Sequence, residues 1–184
     1  MNKIEQVPPA VSRIQRGFPF SGNTGPLGQR RATPLKLFLE IQRKKAFGSA
    51  FNIDACADPS NHKTAFYFTL DESAGMPLDG LAQPWRLLDG TPGVVWVQPP
   101  WEDIGPWIDK AIREVFEAPY NAEQAVALLP GRTGQGWWID AARWGHIEAI
   151  RGRPNCPLPE PARDTKSPSE DLVVIDFHRP FEWK

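Results

Sequence analysis

Apolar and polar residues follow two different periods along this chain, and the periods predict helices and strands. Residues 104–116 place apolar side chains at i, i+3 and i+4, which is typical of a helix with one buried face. Gly105-Pro106 opens this helix and Pro119 ends it. Shorter apolar runs without that period predict strands. These runs are residues 51–57, 94–97, 125–129, 146–151 and 172–177.

Two further helices are indicated by their flanking residues. Thr33 followed by Pro34 suits an N-cap and a first turn, and apolar residues then recur near helical spacing until Phe47-Gly48. Residues 135–144 predict a shorter helix. Strands that alternate with helices indicate an α/β fold with a mainly parallel sheet and helices on both faces. Ligands of such sheets bind beyond the carboxyl ends of the strands.

Length and composition predict a single folded domain. The chain has 184 residues, of which 41% are hydrophobic and 23% charged, and this supplies one core but not two. We expect the domain over residues 33–178, after a Pro-, Gly- and Arg-rich arm or loop over 1–32 and before a tail over 179–184.

Cellular context is indicated by features that the sequence lacks. No run approaches the roughly 18 apolar residues of a membrane span, and the N-terminus has no apolar secretory core, so we expect a cytoplasmic protein. The two cysteines, Cys56 and Cys156, are interpreted as reduced, buried thiols and not as part of a disulfide framework or a metal site.

Charge is segregated although the net charge is only −1. Residues 1–48 hold nine Lys or Arg and two acids, a balance of +7, and the rest of the chain holds twelve basic and twenty acidic residues, a balance of −8. A basic segment on an acidic body attracts phosphates because neutralised phosphates release counterions. A solvated face with a disordered tail explains the same charges equally well.

The tetrad Gln98-Pro99-Pro100-Trp101 directly follows one predicted strand. It is similar to the Asp/Asn/Ser-Pro-Pro-aromatic motif of amino-group methyltransferases, in which a side-chain oxygen and a Pro-Pro carbonyl accept hydrogen bonds from an exocyclic amine and the aromatic ring stacks on the base. Such a pocket suits a base that is flipped out of its duplex. Gln98 carries one methylene more than the usual first residue, which moves the oxygen by about 1 Å and can cost about 100-fold in rate.

Several stretches in fixed order resemble the phage-type DNA N-6-adenine methyltransferase family, over roughly residues 30–178. The resemblance implies a single-domain, Rossmann-like, S-adenosylmethionine-dependent methyltransferase fold, with no metal. The stretches are Ala32-Thr33-Pro34, Phe51-Asn52-Ile53-Asp54-Ala55-Cys56-Ala57, Val95-Trp96-Val97-Gln98-Pro99-Pro100-Trp101, Ile104-Gly105-Pro106-Trp107, Ala127-Leu128-Leu129-Pro130-Gly131-Arg132-Thr133 and the strand over residues 172–177.

The resemblance implies two groups of site residues for the cofactor and the base. Thr33 has a second interpretation as a plain helix cap, Asp54 as a turn residue, and Trp101 as a residue packed under its loop. The implied cofactor-binding residues are Thr33, Pro34, Asp54, Ala55, Asp58 and Asp71, and the implied catalytic residues are Gln98, Pro99, Pro100 and Trp101.

Candidate contacts with DNA lie in two places. Arg30 and Arg31 belong to the basic arm, and Arg132 and Thr133 follow a predicted strand end. Arg132 and Thr133 either contact phosphate or cap the next helix.

The most direct hypothesis is a phage or prophage DNA adenine methyltransferase that acts on double-stranded DNA. Because of Gln98, three outcomes stay open: a re-tuned enzyme, a different amine or modified base, and a methyltransferase fold kept for binding. The main rival is therefore a catalytically silent protein that binds nucleic acid or a host partner. A methyltransferase for a protein glutamine is a third hypothesis, which the basic N-terminal segment disfavours.

Overall fold

The computed structural model describes residues 32–77, 79–152, 154, 156 and 170–180. Residues 1–31 of the expected arm and residues 181–184 of the expected tail lie outside this range. Three α-helices and six strands form an α/β fold. They are α1 (Leu35–Lys45), α2 (Gly105–Phe116) and α3 (Gly136–Trp144), with β1 (Ile53–Asp54), β2 (Phe66–Tyr67), β3 (Gly93–Val97), β4 (Ala122–Pro130), β5 (His146–Ala149) and β6 (Leu172–His178).

The six strands form one sheet in the order β2-β1-β3-β4-β6-β5. Strands β1 to β4 are parallel to one another, and β6 runs antiparallel to both β4 and β5. The sheet is therefore mixed, with a parallel majority. This confirms the expected methyltransferase-like α/β fold and brings the carboxyl ends of β1 to β4 to one edge.

The central strands are apolar on both faces because helices cover both faces. Successive side chains of a strand point to opposite sides, so Val95 and Val97 of β3 join the core beneath α2 and α3. Val94 and Trp96 join a second core beneath α1, where the Phe38 ring meets the Trp96 ring edge-on at 5.3 Å. The uninterrupted apolar runs in the sequence arise from this double burial.

The polar side chain of Gln124 fastens the end of α1 to the sheet. Gln124 is fully buried in β4. Its Nε2 donates to the Lys45 carbonyl and to Asp176 Oδ1, both at 2.7 Å, and its Oε1 accepts the Phe47 N–H at 2.9 Å. All of its amide atoms are thus paired, as burial requires.

Two local predictions differ from the structure. The N-cap of α1 is Pro34, which has no polar side-chain atom and makes no side-chain cap, and the Thr33 hydroxyl donates to Gln98. The interpretation of Thr33 as a helix cap is therefore wrong. Strand β2 was not predicted, because its two residues are defined by pairing with β1 and carry no period of their own.

Within the described residues, no helix combines the length and the apolar character needed to cross a bilayer.

Candidate active site

The candidate site lies where β1 and β3 end side by side. The two strands are parallel, with Asp54 opposite Trp96, and the Ala55 N–H donates to the Trp96 carbonyl at 2.9 Å. The residues that follow each strand therefore emerge together at the carboxyl edge, which is the ligand-binding edge of such sheets. Asp54, the last residue of β1, and Ala55, the first residue after it, thus adjoin the tetrad that follows β3.

Thr33 connects this edge to the start of α1. Its backbone N–H donates to Gln98 Oε1 at 3.2 Å, and its hydroxyl donates to the same oxygen. A backbone N–H can only donate, so the amide atom that faces Thr33 is the oxygen. Thr33 is 2% exposed, and the contact fixes Gln98 against the segment that leads into α1.

Asp54 is buried at the end of β1 and organises the loop that follows. It is 3% exposed, and its Oδ2 accepts the Lys63 N–H at 2.9 Å. Burial raises the pKa of Asp54 to about 6, against the lowering effect of hydrogen bonds from the Lys63 and Cys56 N–H groups. The carboxylate thus draws residues 55–63 back onto the strand end.

Cys56 lies between Asp54 and Gln98. Burial and the neighbouring Asp54 charge raise the pKa of the Cys56 thiol, while a hydrogen bond from the Gln98 backbone N–H opposes them. The thiol is therefore protonated at neutral pH. Gln98 is held at its backbone by Cys56 and at its side chain by Thr33.

The other two carboxylates proposed for the cofactor belong to local turns. Asp58 Oδ1 accepts the Ser60 N–H at 2.9 Å. Asp71 Oδ1 accepts the Ser73 N–H at 2.9 Å and the Ser73 hydroxyl at 2.6 Å, and these bonds lower the pKa of Asp71. Both residues are exposed, so their cofactor role stays a prediction.

The tetrad combines a rigid backbone turn with a packed indole. The Pro100 carbonyl accepts the Asp103 N–H at 3.2 Å. No described residue donates to the Pro99 carbonyl. Trp101 is 8% exposed and belongs to the apolar core beneath α1, so little of its side chain is accessible.

Arg132 holds the tetrad loop to the start of β6. Its Nη1 donates to the Trp101 carbonyl at 2.7 Å, and its Nε lies 3.0 Å from both oxygens of Glu170. Thr133 is exposed beside it. Arg30 and Arg31 lie outside the described residues. Sequence reasoning missed Lys63 and Glu170, because a bond between one polar atom and one partner leaves no repeating pattern in a single sequence.

The residues at this edge fit the amino-acid part of S-adenosylmethionine. The first N–H groups of a helix have no intrahelical partner and favour an anion, and α1 has neither a side-chain cap nor an acid in its first turn. A carboxylate suits that position, and the buried Asp54 carboxylate suits an ammonium. A separate groove of about 830 Å³ lies beside α1 and is lined by Lys36, Lys44 and Arg151 but not by Asp54 or the tetrad.

The mixed sheet with helices on both faces and a Pro-Pro loop at its carboxyl edge is a methyltransferase-like α/β fold. The family model for DNA N-6-adenine-methyltransferase (Dam) matches residues 24–171, most of the chain. The chain therefore belongs to the DNA N-6-adenine-methyltransferase family, whose general activity is methylation of adenine in DNA. A search of curated proteins found no match.

Proposed function

We propose that this protein transfers a methyl group from S-adenosylmethionine to the exocyclic amine of adenine in double-stranded DNA, and that it is phage or prophage encoded. The observation that supports this most directly is the adjacency of the buried Asp54 and the Gln98 tetrad at one sheet edge. A methyl donor and a base must meet, and two neighbouring strand ends supply one subsite each. Family membership gives the reaction class.

The first subsite would hold the cofactor, which supplies a methyl group activated on a sulfonium sulfur. The N–H groups at the start of α1, after Thr33 and Pro34, would hold its carboxylate. Asp54 would accept hydrogen bonds from its ammonium, and its fixed, desolvated position strengthens that interaction. Ala55, Asp58 and Asp71 lie on the loops nearest its nucleoside part in this proposal.

The second subsite would hold the adenine. The Pro99 carbonyl would accept one hydrogen of the amine, and Trp101 would border the adenine ring. Methyl transfer needs no protein nucleophile, so these groups act by aligning the amine nitrogen and excluding water. The proton that the nitrogen then loses passes to solvent.

DNA would approach from the side of α1. Lys36 and Arg151 line the groove beside α1, and Arg30, Arg31 and Thr133 add candidate phosphate contacts. Two lysines of the groove are paired with acids, Lys44 with Glu40 at 2.8 Å and Lys45 with Glu148 at 2.7 Å. Arg132 is paired with Glu170 and would act on DNA mainly by fixing the Trp101 loop.

Calorimetric titration with S-adenosylmethionine tests the cofactor subsite. We expect Asp54→Asn to weaken binding by more than tenfold, because a hydrogen bond to a charged group contributes about 1.5–3 kcal/mol. Asp109→Asn, at an exposed position on α2, is the matched control and should bind as wild type does. Equal affinities for all three proteins would remove Asp54 from the cofactor subsite.

Transfer of a radiolabelled methyl group to DNA from a methylation-deficient host tests the reaction itself. Incorporation should appear at adenine and disappear on DNA that is already methylated there. Cofactor binding without incorporation would exclude adenine methylation. The absence of cofactor binding would favour the rival hypothesis of a silent binding protein. The contact between Thr33 and Gln98 also favours this rival, because it engages the oxygen that the motif would offer to a base.

A further inference from the structure

We propose that Gln98 is a positioning residue that links the start of α1 to the base subsite, and that the Pro99 carbonyl alone accepts the target amine. This inference rests on the proposed function and assigns the tetrad's roles within it. Its starting point is the pair of hydrogen bonds that Thr33 donates to Gln98 Oε1.

The acceptor capacity of Gln98 is used by Thr33. An amide oxygen has two lone pairs, and the Thr33 N–H and hydroxyl supply two donors to this one atom. A base amine would compete with both donors. Because Thr33 is 2% exposed, its donors would lose their acceptor without access to water, and unpaired buried donors are costly.

The Pro99 carbonyl meets the opposite condition. The Pro100 carbonyl is engaged by the Asp103 N–H, but no described residue donates to the carbonyl of Pro99. Pro99 has a fixed φ, and Pro100 after it restricts the ψ of Pro99 to the extended region, so a Gln98 fixed at the start of the turn also restricts the direction of the Pro99 carbonyl. A rigid acceptor that none of the described residues engages suits an amine that must be aligned for transfer.

The extra methylene of Gln98 gives the side chain its reach. Cys56 holds the backbone of Gln98 at the strand end, so the oxygen must cross to Thr33 on another segment. Asparagine would be one methylene too short to make both bonds from the same backbone position. The residue that departs from the usual motif is therefore the residue that joins the two subsites.

The alternative assignment is that Gln98 itself accepts the target amine, and it predicts that Gln98→Asn raises kcat. The positioning role predicts that the same substitution lowers kcat. We expect Gln98→Asn and Thr33→Val each to lower kcat by about tenfold or more, with KM for DNA within about twofold of wild type. Their double mutant should be little worse than Gln98→Asn alone, because Thr33→Val removes the hydroxyl bond that Gln98→Asn also breaks. Thr33→Ser keeps both donors and should recover most of the kcat that Thr33→Val loses. Asp109→Asn, at an exposed position on α2, is the control that should keep wild-type kcat. All rates are measured below the Tm of every variant, so that a purely structural loss would leave kcat unchanged.

Thermal unfolding without cofactor or DNA provides a second, independent measurement. Gln98→Asn and Thr33→Val should each lower Tm by about 2–4 °C, and the double mutant should show the same shift and not the sum. Additive shifts, or faster turnover by Gln98→Asn in an active wild-type background, would overturn the positioning role while leaving the proposed function intact. A wild-type protein that binds cofactor but never methylates DNA would instead overturn the proposed function, and the positioning role with it.

Discussion

Burial of Asp54 disfavours the charged form of its carboxyl group. Its carboxylate is 3% exposed and receives two backbone N–H groups, yet burial still raises its pKa to about 6. A carboxylate kept out of water at a strand end costs folding free energy when it ionises. Such a cost is commonly retained at functional sites, where perturbed pKa values concentrate.

The pKa of Asp54 predicts a pH dependence of stability. The folded pKa lies above the unfolded one, so the folded state binds more protons over roughly pH 4–6. The contribution of this group is fully present below about pH 4 and is lost as pH rises through about 6, by up to about 3 kcal/mol. Urea unfolding should therefore show wild type losing stability relative to Asp54→Asn from pH 4 to 7.

Asp71→Asn provides the control for that experiment. Hydrogen bonds from Ser73 lower the pKa of Asp71, so its contribution has the opposite sign and is lost as pH falls. Between pH 4 and 7 the stability difference between wild type and Asp71→Asn should therefore stay nearly constant, because the contribution of Asp71 is lost only below about pH 4. Parallel pH profiles for the two mutants would contradict the assignment of the Asp54 pKa to burial.

At the scale of elements, two helices carry ion pairs of the same residue types and spacing in different surroundings. On α2, Lys110 Nζ lies 2.7 Å from Glu114 Oε1, and both side chains are less than 10% exposed. Glu114 Oε2 also accepts the Trp85 N–H at 2.8 Å and so fastens the loop before β3 to the helix. On α1, Lys44 and Glu40 form a pair at 2.8 Å with both side chains 49% exposed.

Removing one acid from each pair should isolate the effect of burial, because the two pairs have the same residue types and the same spacing. Glu114→Gln leaves Lys110 buried without its counter-charge, and we expect a loss of about 3–5 kcal/mol in the free energy of unfolding. Glu40→Gln, the control, should hardly change it, because solvent and salt screen an exposed pair. Chemical denaturation of both mutants gives the comparison, and equal losses would show that burial is not the cause.

At the scale of the whole molecule, the charge segregation separates a basic N-terminal quarter from an acidic remainder. Helix α1 belongs to the basic part and borders the charged groove next to Pro34. Phosphates would therefore be attracted to the side of the molecule on which α1 covers the sheet. Helices α2 and α3 cover the opposite face.

Salt dependence of DNA affinity tests this polarity. Arg30→Gln with Arg31→Gln should weaken binding and lower the slope of log affinity against log salt by up to about 1.8, because each phosphate contact contributes about 0.9. Arg113→Gln with Arg143→Gln removes the same charge from exposed positions on α2 and α3. The control slope should stay close to wild type. An unchanged slope in the first pair would exclude these arginines from phosphate contact.

The sequence by itself determined most of the elements and the edge on which the site lies. The 3.6-residue period predicts helix α2, and the apolar runs predict strands β3 and β6. Each pattern is visible in the local sequence because the buried positions of an element must be apolar. The sequence also predicts where these strands end. Once the strands are taken as parallel, Asp54 and the Gln98 tetrad must lie at the same carboxyl edge of the sheet.

The tertiary structure alone decided what those side chains contact. Strand β2, the antiparallel direction of β6, and the bonds that join Thr33 to Gln98, Lys63 to Asp54 and Glu170 to Arg132 all depend on segments brought together by folding. A pairing between distant segments leaves no period in either one. A buried face contacts one core at regular intervals, and this regularity is visible along the chain. A bond between one polar atom and one partner on another segment has no such regularity, so only the tertiary structure shows it.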